Sequence, residues 1–198
     1  MDTYTYPIGN NLYVNLTNRC SNRCTFCVRD QNSKYEGYSL WLEREPTAEE
    51  VIALIGDPKR YGEIVFCGYG EPTYRLDAMK EIARYVKERG GRTRLNTNGH
   101  ANLIHGRDVA SELKEIDLVN ISLNAPDKAS YDALCRPCYL SAFEAVLSFA
   151  RACKQSGVAC RFSVVDCIGG EAVSACKAIA GEIGVPLYVR EMIDNSEQ

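Results

Sequence analysis

A chain of 198 residues is the size of one domain, and nowhere does an apolar run approach the roughly 20 residues needed to span a bilayer. A formal charge of -3 with no dense Lys/Arg block gives no general attraction for nucleic acid, although a local basic patch for a modified RNA substrate is compatible with it. Residues 1–10 carry no basic segment followed by an apolar one, so the expected setting is the reducing cytoplasm, where ten cysteines read as thiols or metal ligands rather than disulfides.

Strand-like runs alternate with helix-like ones, the pattern of repeated βα units. The first predicted strand, Asn11 to Leu16, leads into Cys20-Ser-Asn-Arg-Cys24-Thr-Phe-Cys27. Three thiolates within eight residues can wrap one small metal centre. A zinc knuckle would want a fourth ligand at fixed spacing, and none follows; His100 and His105 fall after the third strand, where a loop is predicted. In a four-iron cluster, three cysteines leave one iron open to a small molecule. The polar stretch Val28 to Pro46 carries Tyr35, Tyr38 and Trp41, and reads equally as a lid or as a loop pinned to the surface.

Thr47 and Glu50 form a capping box for a helix that stops near Gly56. The second strand, Glu63 to Cys67, runs into Gly68-Tyr69-Gly70-Glu71-Pro72. A helix follows from Leu76 to Arg89, with Met79, Ile82, Ala83 and Val86 at helical spacing. The third strand, Thr93 to Thr97, ends in Asn96-Thr-Asn98-Gly. A helix is expected over Val109 to Ile116, then a fourth strand, Leu118 to Leu123, ending at Ser122 and Asn124. Cys135-Arg-Pro-Cys138 reads as two packed thiols rather than a second metal site. Ser141 and Glu144 open a helix ending at Gly157, the fifth strand spans Ala159 to Val165, a helix covers Glu171 to Ile183, and the sixth strand spans Pro186 to Arg190.

Six βα units are two short of a closed eight-stranded barrel, so the expected fold is α/β, an open (βα)6 partial TIM barrel with parallel strands. Its strand C-terminal ends share one face, where chemistry sits in such folds. Cys67 and Cys167 are expected at strand ends facing that site, and the remaining cysteines act as small hydrophobes.

The Cys-x3-Cys-x2-Cys run after the first strand of such a barrel resembles the radical S-adenosylmethionine (radical SAM) superfamily, through nearly the whole chain. The resemblance implies a single radical SAM core domain over residues 1–198, a [4Fe-4S] cluster on Cys20, Cys24 and Cys27, and S-adenosyl-L-methionine at the open iron. Phe26 resembles the aromatic beside the cofactor's adenine. Gly68, Tyr69, Gly70 and Glu71 look like the family's Gly-Gly-Glu element for the methionyl amino group, with Tyr69 replacing a glycine and the contact mostly main chain. Asn96 and Asn98 match a family pattern at the cofactor's edge, and Ser122 and Asn124 resemble the polar pair for ribose and methionyl carboxylate. Ile168 to Glu171 loosely resembles an adenine contact, and Arg190 is placed to meet a carboxylate of cofactor or substrate. More narrowly, these elements look like the small radical enzymes associated with TatD-type metal-dependent nucleases.

What the resemblance implies is reductive cleavage of the cofactor to a 5'-deoxyadenosyl radical that abstracts hydrogen from an unidentified substrate, with electrons from a reductant such as flavodoxin or ferredoxin. Two other classes stay open. One is a non-catalytic, cluster-bearing redox or regulatory partner of a TatD-family hydrolase, and the other is a glycyl-radical activase.

Overall fold

The computed structural model describes residues 2–31, 35 and 37–191, Gln31 by its backbone alone. Seven strands form one sheet in chain order: β1 (Thr5–Ile8), β2 (Asn11–Val14), β3 (Ile64–Phe66), β4 (Thr93–Thr97), β5 (Leu118–Ser122), β6 (Cys160–Val165) and β7 (Leu187–Arg190). From β2 to β7 every pair is parallel, with Val14 beside Phe66, Asn96 beside Asn120, and Asn120 beside Arg161. The sheet is not closed, as the six-unit pattern requires.

The sequence reading is corrected at the N-terminus. β1 pairs antiparallel with β2 through a turn at Gly9, where φ is +58°, and shields what would otherwise be an exposed parallel edge. Its four residues alternate too briefly to stand out as a strand by pattern.

The helices are α1 (Val28–Gln31), α2 (Ala48–Ile55), α3 (Leu76–Glu88), α4 (Ala101–His105), α5 (Lys128–Cys135), α6 (Ala142–Gln155) and α7 (Gly170–Ile183). The Thr47–Glu50 capping box forms, but Ser141 makes no side-chain cap on α6. In place of a helix over Val109 to Ile116 there is one 3-10 turn, Ala110–Leu113. Asp108 holds the Ala110 N–H and Asp117 holds the Thr93 N–H, so the chain is pinned at both ends before a longer helix can form.

Strand side chains alternate between two environments. Leu95, Ile121, Phe162 and Val164 turn outward into the main core with Met79, Ile82, Val146 and Phe149 of the helices, all fully buried. Burying each such side chain contributes about 1.5–3 kcal/mol. Their neighbours Arg94, Asn96, Asn120, Ser122 and Arg161 turn into the barrel and line its cavity.

Candidate functional site

The cysteine loop leaves β2 and is fixed on both flanks before any ligand is considered. On one side, the Arg23 and Thr25 N–H groups donate to the Cys135 and Leu134 carbonyls, and Cys138 N–H donates to the Ser21 carbonyl, each at 2.9 Å. These bonds satisfy loop donors and the otherwise orphaned carbonyls at the end of α5 together. On the other side, Asn18 exchanges two bonds with Leu42, at 2.8 and 3.0 Å, and Asn15 Nδ2 donates to Leu40 O at 2.7 Å. The segment after α1 is therefore pinned at residues 40–42, of the two readings of that stretch. Trp41 stands edge-on to Tyr69 at 5.4 Å between ring centroids.

The glycines of the second strand end serve this loop. A Cβ on Gly68 would sit 2.1 Å from Asn15 Oδ1, and one on Gly70 would sit 2.2 Å from the Thr17 carbonyl oxygen. Their smallness admits the loop backbone. Tyr69 between them is buried in a second apolar cluster with Tyr6 and Leu40, which accounts for an aromatic where the family pattern has glycine.

Glu71 is buried and fully engaged. It accepts from Thr73 N, Thr73 Oγ1, Thr97 Oγ1 and Asn98 N at 3.2, 2.8, 2.8 and 2.7 Å, bracing the ends of β3 and β4. Burial raises its pKa, while these donors pull it back down.

A buried chain of bonds continues from there. Asn98 Nδ2 donates to Ser21 Oγ at 2.8 Å, Ser21 Oγ lies 3.0 Å from His100 Nδ1, and His100 Nε2 lies 3.1 Å from Tyr131 Oη. Asn22 Nδ2 also donates to Tyr131 Oη, at 3.2 Å. Sequence spacing does not link Ser21, His100 and Tyr131, because the network is assembled from three separate segments: the cysteine loop, the end of β4 and α5.

Cys20, Cys24 and Cys27 all line one cavity of about 820 Å³ at the strand ends. Burial pushes Cys20 up to about 12 and also raises Cys27. The thiol–thiol hydrogen bond with Cys135, and then burial, hold Cys24 well above the ordinary thiol range. Among the described residues no three His, Cys, Asp or Glu side chains are grouped as a closed metal cage. Cys135 is buried beside Cys24, while Cys138 is exposed.

The same cavity is lined by Phe26, Gly68, Tyr69, Gly70, Glu71, Asn96, Asn98, Ser122, Asn124 and Arg190, so these ten reach one place with the three thiols. Asn124 adopts φ +59°, a left-handed conformation that Asn tolerates better than most residues. Two expectations fail. Cys167 is exposed and off the cavity, and the Ile168 to Glu171 segment lines none of it. Arg94, Asn120 and Arg161 line the cavity unannounced, though their alternation with apolar strand neighbours is a usable signal.

The donor chemistry fits the implied cofactors. Three thiols with no carboxylate between them are a soft set suited to an iron–sulfur cluster. Asn22 and Asn124, whose buried Oδ1 atoms lack a hydrogen-bond partner, are both residues of the cavity wall.

The family model described as the radical SAM superfamily matches residues 14–178. The chain is 37% identical over 114 residues to the Fe-coproporphyrin III synthase of Methanosarcina barkeri, covering 56% of this chain and 26% of that protein. It is 30% identical over 141 residues to a Methanocaldococcus jannaschii protein assigned as a glycyl-radical enzyme activating enzyme, covering 70% of this chain and 54% of that one. The chain thus spans less than two thirds of these curated relatives. The crystal structure of Streptococcus suis SuiB bound to S-adenosylmethionine superposes with a TM-score of 0.69 over 96% of this chain and 42% of that one, at 16% identity, a likeness of fold.

Proposed function

From the chain's membership of the radical SAM superfamily, we propose that it is an enzyme that cleaves S-adenosyl-L-methionine reductively at a [4Fe-4S] cluster held by Cys20, Cys24 and Cys27. The observation that carries this reading is the convergence of those three thiols and ten further selected residues on one cavity. When bound, the cluster supplies a low-potential electron that splits the cofactor into methionine and a 5'-deoxyadenosyl radical, which abstracts hydrogen from the substrate.

The chain's own residues bind, orient and exclude water. Phe26 offers an apolar face for the adenine, Ser122 and Asn124 offer polar groups for ribose and methionyl carboxylate, and Asn96 and Asn98 edge the same space. Gly68, Tyr69 and Gly70 contribute main chain, and Arg190 a cation. Glu71 keeps the ends of β3 and β4 together, so its part in meeting a methionyl amino group is shared with the main chain beside it. Such a site works in a reducing compartment, fed by flavodoxin or ferredoxin.

The narrower placement with TatD-linked radical enzymes rests on the Leu12 to Cys27, Gly68 to Thr73, Leu95 to Gly99 and Ser122 to Pro126 elements, and carries a TatD-family hydrolase as partner, with or without chemistry by this chain. Activation of a glycyl-radical protein is a second reading, favoured by the Methanocaldococcus jannaschii relative.

The test is anaerobic reconstitution with iron and sulfide, then S-adenosylmethionine and dithionite, with 5'-deoxyadenosine followed by chromatography. About four irons per chain and 5'-deoxyadenosine formation are expected, both lost in C20A, C24A and C27A. Zinc instead of iron, or cleavage that survives these substitutions, would refute the reading.

A further inference from the structure

We propose that the barrel interior beneath the strand ends receives an anionic group of the substrate, a carboxylate or phosphate, held by Arg161 with Arg190 above it. The inference rests on the radical SAM reading of the cavity and adds the class of molecule it takes.

Alternation along β4, β6 and β7 turns Arg94, Arg161 and Arg190 to the same cavity. Arg94 is already neutralised, with Nε 2.8 Å from Glu63 Oε2 and Nη1 2.9 Å from Asn96 Oδ1. Arg161 is differently placed. Its Nε donates to Asn120 Oδ1 at 2.7 Å, and its guanidinium lies 4.4 Å from the centroid of the Tyr188 ring. These contacts fix the guanidinium plane and leave both terminal nitrogens available, the fork that grips carboxylate or phosphate.

Neither Arg161 nor Arg190 has an ion pair among the described residues. Of the carboxylates on the cavity wall, Glu63 is committed to Arg94 and Glu71 to Thr73, Thr97 and Asn98, which leaves Glu191 at the end of β7. Desolvation, and then the like charge of Arg94, lower the Arg161 pKa, against a smaller opposing pull from Tyr188 and Glu63.

Arg161 sits below the strand ends, level with Asn120 and Asn96. Ser122, the last residue of β5, stands two residues above that level, or about 7 Å along the strand. A substrate anchored at Arg161 would extend upward toward the thiols.

The test is calorimetric titration of the reconstituted protein, S-adenosylmethionine present, with inorganic pyrophosphate and with citrate. At least one probe is expected to bind, with affinity falling about tenfold or more in R161Q and by less in R161K, which keeps the charge but not the fork. Pyrophosphate binding alone assigns a phosphate, and citrate binding alone a carboxylate. Circular dichroism and iron content check R161Q, and R161K replaces it should it misfold. Binding of neither probe, equal binding by the variants, or complete displacement by S-adenosylmethionine would overturn the proposal. Failure of the underlying reading looks different: anion binding through Arg161 in a protein that makes no 5'-deoxyadenosine supports the arginine site and refutes the radical chemistry.

Discussion

Ser21 Oγ lies 3.0 Å from His100 Nδ1, so a residue inside the cysteine loop is tied by a buried side-chain bond to the segment that follows β4. Ser21 Oγ also accepts from Asn98 Nδ2, and the other His100 ring nitrogen, Nε2, lies 3.1 Å from Tyr131 Oη.

This bond predicts a pH dependence. Burial lowers the His100 pKa to about 4, against an ordinary value near 6.5. Between those values the unfolded chain binds more protons than the folded one, so stability from neutral His100 is complete above about pH 6.5 and is lost as pH falls toward 4. The loss reaches about 3 kcal/mol, at about 1.4 kcal/mol per pKa unit. Urea unfolding across this range, compared between wild type and H100Q, reads it as a difference in slope. Parallel curves would refute it.

Gly68→Ala and Gly70→Ala should each destabilise the metal-free protein by about 1–3 kcal/mol through overpacking. Gly70→Ala should cost more, because its Cβ would meet backbone, the Thr17 and Arg19 carbonyls at 2.2 and 2.7 Å. Gly68→Ala meets the Asn15 side chain, which is itself held by Thr3 O and Leu40 O. Denaturant midpoints check both values and their order.

Glu71→Gln places an amide donor where four donors already converge, so at least one bond is lost and two donors face each other. A cost of about 2 kcal/mol is expected, with slower iron uptake as the ends of β3 and β4 loosen. Thermal unfolding of the metal-free variant and the rate of cluster formation separate the two effects. An unchanged melting temperature would contradict the bracing role.

Cys135→Ala should keep about four irons per chain after reconstitution, since Cys135 touches Cys24 without being one of the three motif thiols. Anaerobic iron analysis decides this. Loss of iron would make Cys135 a ligand, and about eight irons in wild type would restore a second cluster.

The strand positions were legible because β-branched and apolar runs recur at βα spacing, and the cysteine spacing is local enough to be read directly. β1 was not, since four residues paired to a neighbour have little pattern of their own. The helix expected at Val109 gives way to a short turn held locally by Asp108 on Ala110 N and at its far end by Asp117 on Thr93 N, a partner that the packing of β4 and β5 decides. Gly68 and Gly70 were selected as ligand approaches, but their close contacts are with the loop carrying the cysteines, a distinction that sequence spacing does not hold.

The sequence by itself determined what depends on short range: the three thiols within eight residues, the alternation that turns Asn96, Asn120 and Ser122 inward, and the strand ends where site residues gather. Only the tertiary structure decided what depends on distant segments meeting: Cys135 beside Cys24, His100 between Ser21 and Tyr131, and Arg161 without a carboxylate partner among the described residues. The physical reason is that backbone geometry sets periodicity locally, whereas hydrogen bonding and charge pairing in a buried site are settled by whichever side chains the sheet brings within about 3 Å of one another.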